Sequence, residues 1–282
     1  MACTANLPVV YVNDESQGGH STPTAILLRA IAAGQFSVFS MREENVYTLN
    51  MSGVCLMKIY MTGGTGFVGS NIVKVAVERY DADVFTTVLG WQADGPIPFQ
   101  YGRVDMGNRQ QLLDSVRAFK PDAIIHSAIL NDFSQMYQDR RLAWQSYVDS
   151  TRYLTEAANE IGAKIILISS DWVFDGTQTN ADETTPPNPK NLYGVLKVVG
   201  ETIVMEAANN GAVARLSGVN GMHWTLPDKP LTQNVGFGNL IPAVVSKLQN
   251  SQPFVVWEGE INMYATPSLA SESAEMVMRI IQ

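Results

Sequence analysis

The sequence predicts an α/β protein: a Rossmann-like, doubly wound parallel sheet with a small C-terminal substrate subdomain. Three observations predict it. From residue 58 onward, short β-branched runs alternate with longer helical stretches, the signature of βαβ units. The glycine-rich stretch MTGGTGFVGS (61–70) stands between the first such run and the first helix. The apolar run KIILISS (164–170) ends in two serines, and a Tyr-x-x-x-Lys follows at 193–197.

The elements follow in order. KIYMT (58–62) is short and β-branched, a first strand, and FVGSNIVKVAVERY (67–80) carries helical periodicity. DVFTTVLG (83–90) reads as a second strand, RQQLLDSVRAFK (109–120) as a helix and DAIIHSAI (122–129) as a strand. The alternation then repeats, with a helix over 142–162, a strand over 164–169, a helix over 193–208 and a strand over 211–218. The intervening loop TQTNADETTPPNPKN (177–191) is rich in turn formers and acidic groups, and its length suits a segment that covers a site. Beyond 218 the regularity fades. GFGNLIPAVVSKLQNSQ (236–252) reads as a helix and PFVVW (253–257) as a strand.

The chain therefore divides into an amino-terminal extension (1–57), a dinucleotide-binding domain (58–220) and a short substrate-binding subdomain (221–282). Residues 25–48 run parallel to 243–265 as a weak helix-then-strand repeat: Ala25 with Ala243, Arg29 with Lys247, Phe36 with Phe254, Val38 with Val256, and after one gap Asn45 with Asn262 and Tyr47 with Tyr264. Two readings stand side by side. One is chance similarity between two amphipathic pairs; the other is an extension that packs as an extra piece of the small subdomain.

Composition excludes several classes. A net charge of −8, with Lys and Arg scattered, leaves no basic face for nucleic acid. Two cysteines, Cys3 and Cys55, make neither a disulfide framework nor a metal set and fit a reducing cytosol, so a cytoplasmic protein is expected. No apolar run approaches the roughly 18 residues of a membrane span, and TAILLRAIAA (24–33) is interrupted by Arg29 and has no basic leader. His20, His126 and His223 are too dispersed for a metal and read as turn or packing residues.

Chemistry gathers on three motifs. Gly63, Gly66 and Gly69 lie between a strand and a helix, the context in which backbone amides at a helix N-terminus meet a pyrophosphate. An acidic residue at the end of the second strand would select NAD and a nearby arginine NADP. That end reads Leu89, Gly90, Trp91, with Asp81 and Asp83 before the strand and Arg103 too far along to assign, so NAD or NADP stays open. Tyr193 and Lys197, four apart, share one helix face. A neighbouring ammonium favours phenolate and would pull the Tyr193 pKa toward neutrality, the logic of a general acid in ketone reduction. Ser170, at the carboxyl end of a central strand, sits where such sheets put ligand-contacting groups, its hydroxyl able to hold a carbonyl. Ser169 is read as structural.

TGGTGFVG, ISSDWVFDG and YGVLKVVGE resemble the extended short-chain dehydrogenase/reductase superfamily, and SSDWVFDG is most similar to its dTDP-4-dehydrorhamnose reductase branch, over about 58–270. The resemblance implies catalytic roles for Ser170, Tyr193 and Lys197, with Lys197 also on the nicotinamide ribose. It implies cofactor contacts from Gly63, Thr65, Gly66, Phe67 and Val68 of the glycine loop. Asp105 and Met106 of VDMGN would join them at the adenine, and Ser127 and Ala128 of IIHSAI beneath the cofactor. Asp171 and Val173 of SDWVFDG and Asn220 of ARLSGVNG fall toward the substrate, although Asp171 and Asp175 can instead fix their own turn through local hydrogen bonds.

Two departures stand out. Tyr147 occupies the position where relatives usually carry an asparagine, an exchange expected to disturb the proton relay behind the lysine. The sequence also ends with 265–282, where relatives continue for several dozen residues.

The expected function is NAD(P)-dependent reduction of the 4-keto group of a nucleotide-linked deoxysugar. Two alternatives carry the same wording. One is a sugar-nucleotide epimerase or dehydratase, which the Asp171–Trp172 pair after Ser170 fits less well. The other is a non-catalytic dinucleotide-binding subunit such as the regulatory beta subunit of methionine adenosyltransferase. The partners implied are a small sugar nucleotide and, as in many relatives, a second copy in a homodimer that no helix face here selects.

Overall fold

A computed structural model describes residues 9–12, 24–31, 35–42, 45–50, 56–178, 180–226, 239–253 and 266–282. Two units divide the chain, Met1–Cys55 and Leu56–Gln282. The first holds β1 (Val9–Val12), β2 (Thr24–Ile31), β3 (Gln35–Arg42) and β4 (Asn45–Asn50), antiparallel neighbours in that order. The helix-then-strand repeat is thereby corrected. Thr24–Ile31 is a strand, whereas its counterpart near residue 243 lies in a helix, Leu240–Gln249. An eight-residue apolar run is short enough for either structure, and periodicity alone does not separate the two.

In the second unit six parallel strands form one sheet: β5 (Lys58–Thr62), β6 (Asp83–Val88), β7 (Gln100–Arg103), β8 (Ala123–His126), β9 (Lys164–Ser170) and β10 (Gly211–Leu216). Their spatial order, β10-β9-β8-β5-β6-β7, is that of a doubly wound dinucleotide-binding sheet, with the chain reversing direction between β5 and β8. Side chains alternate between its faces. Ile59, Met61, Ile125, Ile166 and Ile168 pack against α1 (Phe67–Tyr80) on one side. Tyr60, Ile124, Ile165 and Leu167 pack against α2 (Arg109–Phe119) on the other. Each fully buried Ile or Leu contributes about 1.5–3 kcal/mol, which fixes the register of every strand.

The helix expected over 142–162 is present with a widened turn inside it. It starts as α4 (Arg140–Trp144), preceded by the short α3 (Phe133–Gln138), passes through a single π turn at Gln145–Asp149 and continues as α5 (Ser150–Ile161). Three hydroxyls bond back to carbonyls along this stretch: Ser150 Oγ to Ser146 at 2.8 Å, Thr151 Oγ1 to Tyr147 at 2.6 Å and Thr155 Oγ1 to Thr151 at 2.9 Å. Such turns are rare and recur beside functional sites.

α6 (Leu192–Ala207) follows the long loop. Beyond β10 a two-stranded parallel pair, β11 (Val219–Asn220) with β12 (Ser268–Leu269), brackets α7 (Leu240–Gln249) and leads into α8 (Ala270–Ile281). Ala274, Val277 and Met278 of α8 join the α1 side of the sheet core, and Tyr80 donates to Glu275 at 2.8 Å. The last helix of segment 221–282 is thus part of the sheet's own packing. Of the strand expected over 253–257, all but Pro253 lies outside the described residues. Among the described residues no helix is long and apolar enough to cross a membrane, and no cluster of His, Cys, Asp or Glu is placed to hold a metal.

Candidate functional site

The glycine turn leaves β5 where the chain reverses. Gly63 has φ +71°, and a Cβ there would lie 2.7 Å from the Ala128 backbone at the end of β8. On Gly69 a Cβ would meet the Gly63 carbonyl oxygen at 2.0 Å, so α1 packs directly on the turn. Gly66 differs. It is the N-cap of α1 with φ −81°, its Cβ direction meets only the Gly63 carbonyl at 3.3 Å, and no side chain caps the helix. An open surface over first-turn amides that no side chain occupies is the cradle a pyrophosphate needs. The residues present fit a dinucleotide at this end.

Thr65 and Phe67 shape the turn through their carbonyls. The Thr65 carbonyl accepts from His223 Nε2 at 3.1 Å, and Phe67 opens the helix and accepts from Asn71 at 2.9 Å. Val68 packs into the core beneath. On the β8 side the Ser127 amide donates to the Thr62 carbonyl at 3.2 Å and the Ala128 amide to Thr62 Oγ1 at 3.3 Å. Asp105 accepts from the Gly107 amide at 2.9 Å, and Met106 leans on the α2-side core.

The Thr62 contacts order a buried hydroxyl–imidazole chain. Thr62 Oγ1 accepts from Ala128 and turns its proton to His126 Nδ1 at 2.7 Å, while Ser150 Oγ, donating to Ser146, receives His126 Nε2–H at 3.2 Å. Burial, with a smaller push from the Lys197 charge, lowers the His126 pKa to about 3. His126 is a neutral strut at the switch point.

The second half of the site is built on β9 and α6. Asn191 caps α6 by accepting from the Gly194 amide at 2.8 Å, which starts the helix at the tyrosine. Gly194 is obligatory, since a Cβ would lie 2.2 Å from the Trp172 carbonyl. Tyr193 is then enclosed by three rings: Phe133 at 5.6 Å, Trp172 edge-on at 5.8 Å and Tyr147 edge-on at 5.9 Å. Four residues on, Lys197 is buried and donates to the Ile168 carbonyl at 2.8 Å, its ammonium between the Tyr147 and Tyr193 rings at 5.6 and 5.7 Å. A cavity of about 10 Å³, the room of one water, lies among His126, Ala128, Tyr147, Thr151, Lys197 and Gly200.

The expected pull of Lys197 on the phenol is corrected. Burial raises the Tyr193 pKa to about 12, only partly offset by its hydrogen bond with Ser170. Lys197 itself falls to about 8 through burial, partly offset by Glu201. The ammonium spends its hydrogen bond on a strand carbonyl and lies over the rings, so desolvation wins on both groups.

Ser170 is brought to Tyr193, with its own proton committed. Its hydroxyl donates to Asp171 at 3.0 Å and accepts from the Trp172 amide at 3.2 Å, and Ser217 donates to the other Asp171 oxygen at 2.8 Å. Ser169, on the opposite face, donates to Glu201 at 2.5 Å, and Glu201 is paired with Arg215 at 2.7 and 3.0 Å.

Two residues expected at the substrate are buried. Val173 has 0% of its surface exposed and sits in the wall of the turn. Asn220 is buried and ties segments together: Oδ1 accepts from the Ile241 amide at 3.2 Å and Nδ2 donates to the Gly218 carbonyl. Sequence reasoning missed Phe133 and Trp172 as walls of the site. Phe133 sits in a short helix with no periodicity long enough to read, and Trp172 sits in a three-residue turn whose direction the sequence does not give.

Comparison with known proteins agrees with this architecture. The family described as RmlD substrate binding domain matches residues 57–226. Methionine adenosyltransferase 2 subunit beta of Mus musculus is 30% identical over 175 residues, 62% of this chain and 51% of that protein. A dTDP-4-dehydrorhamnose reductase of Aggregatibacter actinomycetemcomitans is 25% identical over 163 residues, 57% of this chain and 51% of that protein. The chain spans about half the length of these relatives. Among solved structures, dTDP-4-dehydrorhamnose reductase from Bacillus anthracis in complex with NADP shares the fold, with TM-score 0.61 and 23% identity over 82% of this chain and 72% of that one.

Proposed function

Because the chain belongs to the RmlD substrate-binding-domain family, we propose that it is an NAD(P)-dependent oxidoreductase reducing the 4-keto group of a nucleotide-linked deoxysugar. The observation that carries this reading is the convergence of Ser170, Tyr193 and Lys197 at the carboxyl end of β9, with an uncapped glycine turn at the same end of β5, two strands along the sheet. NAD(P)H, when bound, supplies a hydride. Tyr193, neutral with its pKa near 12, holds the proton that the reduced oxygen needs. Lys197, held by the Ile168 carbonyl, keeps one cation beside that phenol. Ser170 presents an oxygen to Tyr193, and Asp171 fixes its rotor. The three rings around Tyr193 leave it only partly exposed and narrow the approach to the phenol.

A second reading keeps dinucleotide binding and drops turnover, in a regulatory subunit. The similarity to methionine adenosyltransferase 2 subunit beta and a phenol pKa raised rather than lowered both favour it. A sugar-nucleotide epimerase or dehydratase is the third, and the Asp171–Trp172 pair after Ser170 fits it less well.

The test is a titration with NADH and NADPH, followed by absorbance of the reduced nicotinamide after a 4-keto deoxysugar nucleotide is added. Binding with oxidation is the expected result. Binding without oxidation by any such sugar moves the assignment to the regulatory subunit, and no binding of either cofactor overturns both.

A further inference from the structure

Resting on the dinucleotide reading above, we infer that Arg103 is the residue that receives the 2′-phosphate of the adenosine ribose, so that this chain prefers the phosphorylated dinucleotide, NADP(H). In the linear sequence Arg103 stands 15 residues past Val88, the last residue of β6. The sheet removes that distance, because β7 pairs parallel with β6 in a register that sets Tyr101 beside Thr86 and Arg103 beside Val88.

Register also fixes the face. Thr86 Oγ1 accepts from the Gly64 amide at 3.0 Å, so Thr86, and Val88 two residues on, lie on the side of the sheet that carries the glycine turn. Their partners share that side. Tyr101 meets Trp91 edge-on at 5.1 Å, and Trp91 packs into the α1-side core. Gly102, between them, faces the other way, its Cβ direction ending 2.8 Å from the Phe85 ring. Arg103 therefore sits on the glycine-turn side, beside the end of the second parallel strand, β6, where the adenosine ribose lies in doubly wound sheets.

Among the described residues no ion pair or side-chain hydrogen bond reaches the Arg103 guanidinium. The nearest acid in sequence, Asp105, spends Oδ1 on the Gly107 amide at 2.9 Å. The segment is held in place from behind: Gln111 accepts from the Asp105 amide at 2.8 Å and donates to the Arg103 carbonyl at 3.5 Å. The carboxylate that would accept from a free 2′-hydroxyl is missing from its position. β6 runs out through Val88 into exposed Leu89 and Gly90, and the loop from 89 to 99 has Asp94 as its one acid. A fork of guanidinium donors suits a phosphate dianion and gives a bare ribose little.

The experiment is calorimetric titration of the full chain with NADPH, NADH, 2′,5′-ADP and 5′-ADP, for the wild type and Arg103→Ala. The expected result is that NADPH binds roughly tenfold or more tightly than NADH, that 2′,5′-ADP exceeds 5′-ADP by a similar factor, and that Arg103→Ala lowers both phosphorylated ligands to the level of their partners. The advantage shrinks as salt is raised, because the contact is exposed. Equal binding of the two dinucleotides by the wild type, or an unchanged ratio in Arg103→Ala, overturns the inference and leaves the dinucleotide reading standing. Failure of all four ligands to bind overturns both.

Discussion

The Lys197 ammonium stands 5.7 Å from the centroid of the Tyr193 ring while its hydrogen bond goes 2.8 Å to the Ile168 carbonyl. The cation is thus anchored to the strand, and the phenol keeps its proton. In the proposed reductase, turnover would depend on the phenolic oxygen itself, while the glycine turn that would bind the dinucleotide is built from other residues. Tyr193→Phe is expected to cut kcat by roughly 10²–10⁴-fold, the usual range for losing a general acid, and to leave cofactor Kd within about twofold. Stopped-flow turnover with fluorescence titration reads both numbers. A parallel collapse of the two would assign Tyr193 to the cofactor cradle instead.

Burying Lys197 costs stability in its charged form. Its pKa falls from 10.5 unfolded to about 8 folded, so below pH 8 the penalty is fully present, and it is relieved as pH rises through 8 toward 10.5, where the unfolded chain holds the extra proton. Relative to Lys197→Met, the wild type should gain about 2–3 kcal/mol between pH 7 and pH 10, measured by urea denaturation. A flat difference would mean that the lysine is hydrated in solution.

His126 produces the opposite pH window. With a pKa lowered from 6.5 to about 3, the folded state refuses a proton that the unfolded chain accepts, so stability is complete above pH 6.5 and falls as pH drops toward 3. Between pH 7 and 4.5 the wild type should lose roughly 2–3 kcal/mol more than His126→Asn. Parallel acid profiles would place the imidazole in contact with water.

The glycines of the turn separate folding from binding. Gly69→Ala drives a Cβ to 2.0 Å from the Gly63 carbonyl and should prevent stable folding, seen as the loss of a cooperative thermal transition. Gly66→Ala meets only a 3.3 Å neighbour at an ordinary φ of −81° and should keep stability within about 1 kcal/mol, yet weaken dinucleotide binding by about tenfold or more. Unaltered affinity in Gly66→Ala would move the ligand away from this turn.

What could be read from the sequence follows the range of each signal. The strands from β5 through β10 other than β7, the helices α1, α2 and α6, and the glycine turn announce themselves through local periodicity or spacing. β7 was not legible, because QYGR is a four-residue edge strand without an apolar run, and its identity as a strand comes from pairing with β6. The same gap left Arg103 unassigned. Val173 and Asn220 are named by motif wording, which does not encode the burial that the structure shows for both. α8 is not legible alone, because ASESAEMVMRII shows its inner face only once α1 supplies the surface it packs on.

The π turn at Gln145–Asp149 sets a limit on how this chain can vary in length. One turn of i→i+5 spacing holds a residue more than regular helix would, so everything before it is out of phase, by about 100° of rotation, with everything after it. Deleting one residue there would straighten the helix and swing either Tyr147 away from Tyr193 or Ser150 away from His126, since Tyr147 lies inside the widened turn and Ser150 directly after it. Substitutions on its surface are cheap, but insertions and deletions are not, and a lineage that changed length at this point would have to rebuild the aromatic enclosure and the buried imidazole chain together.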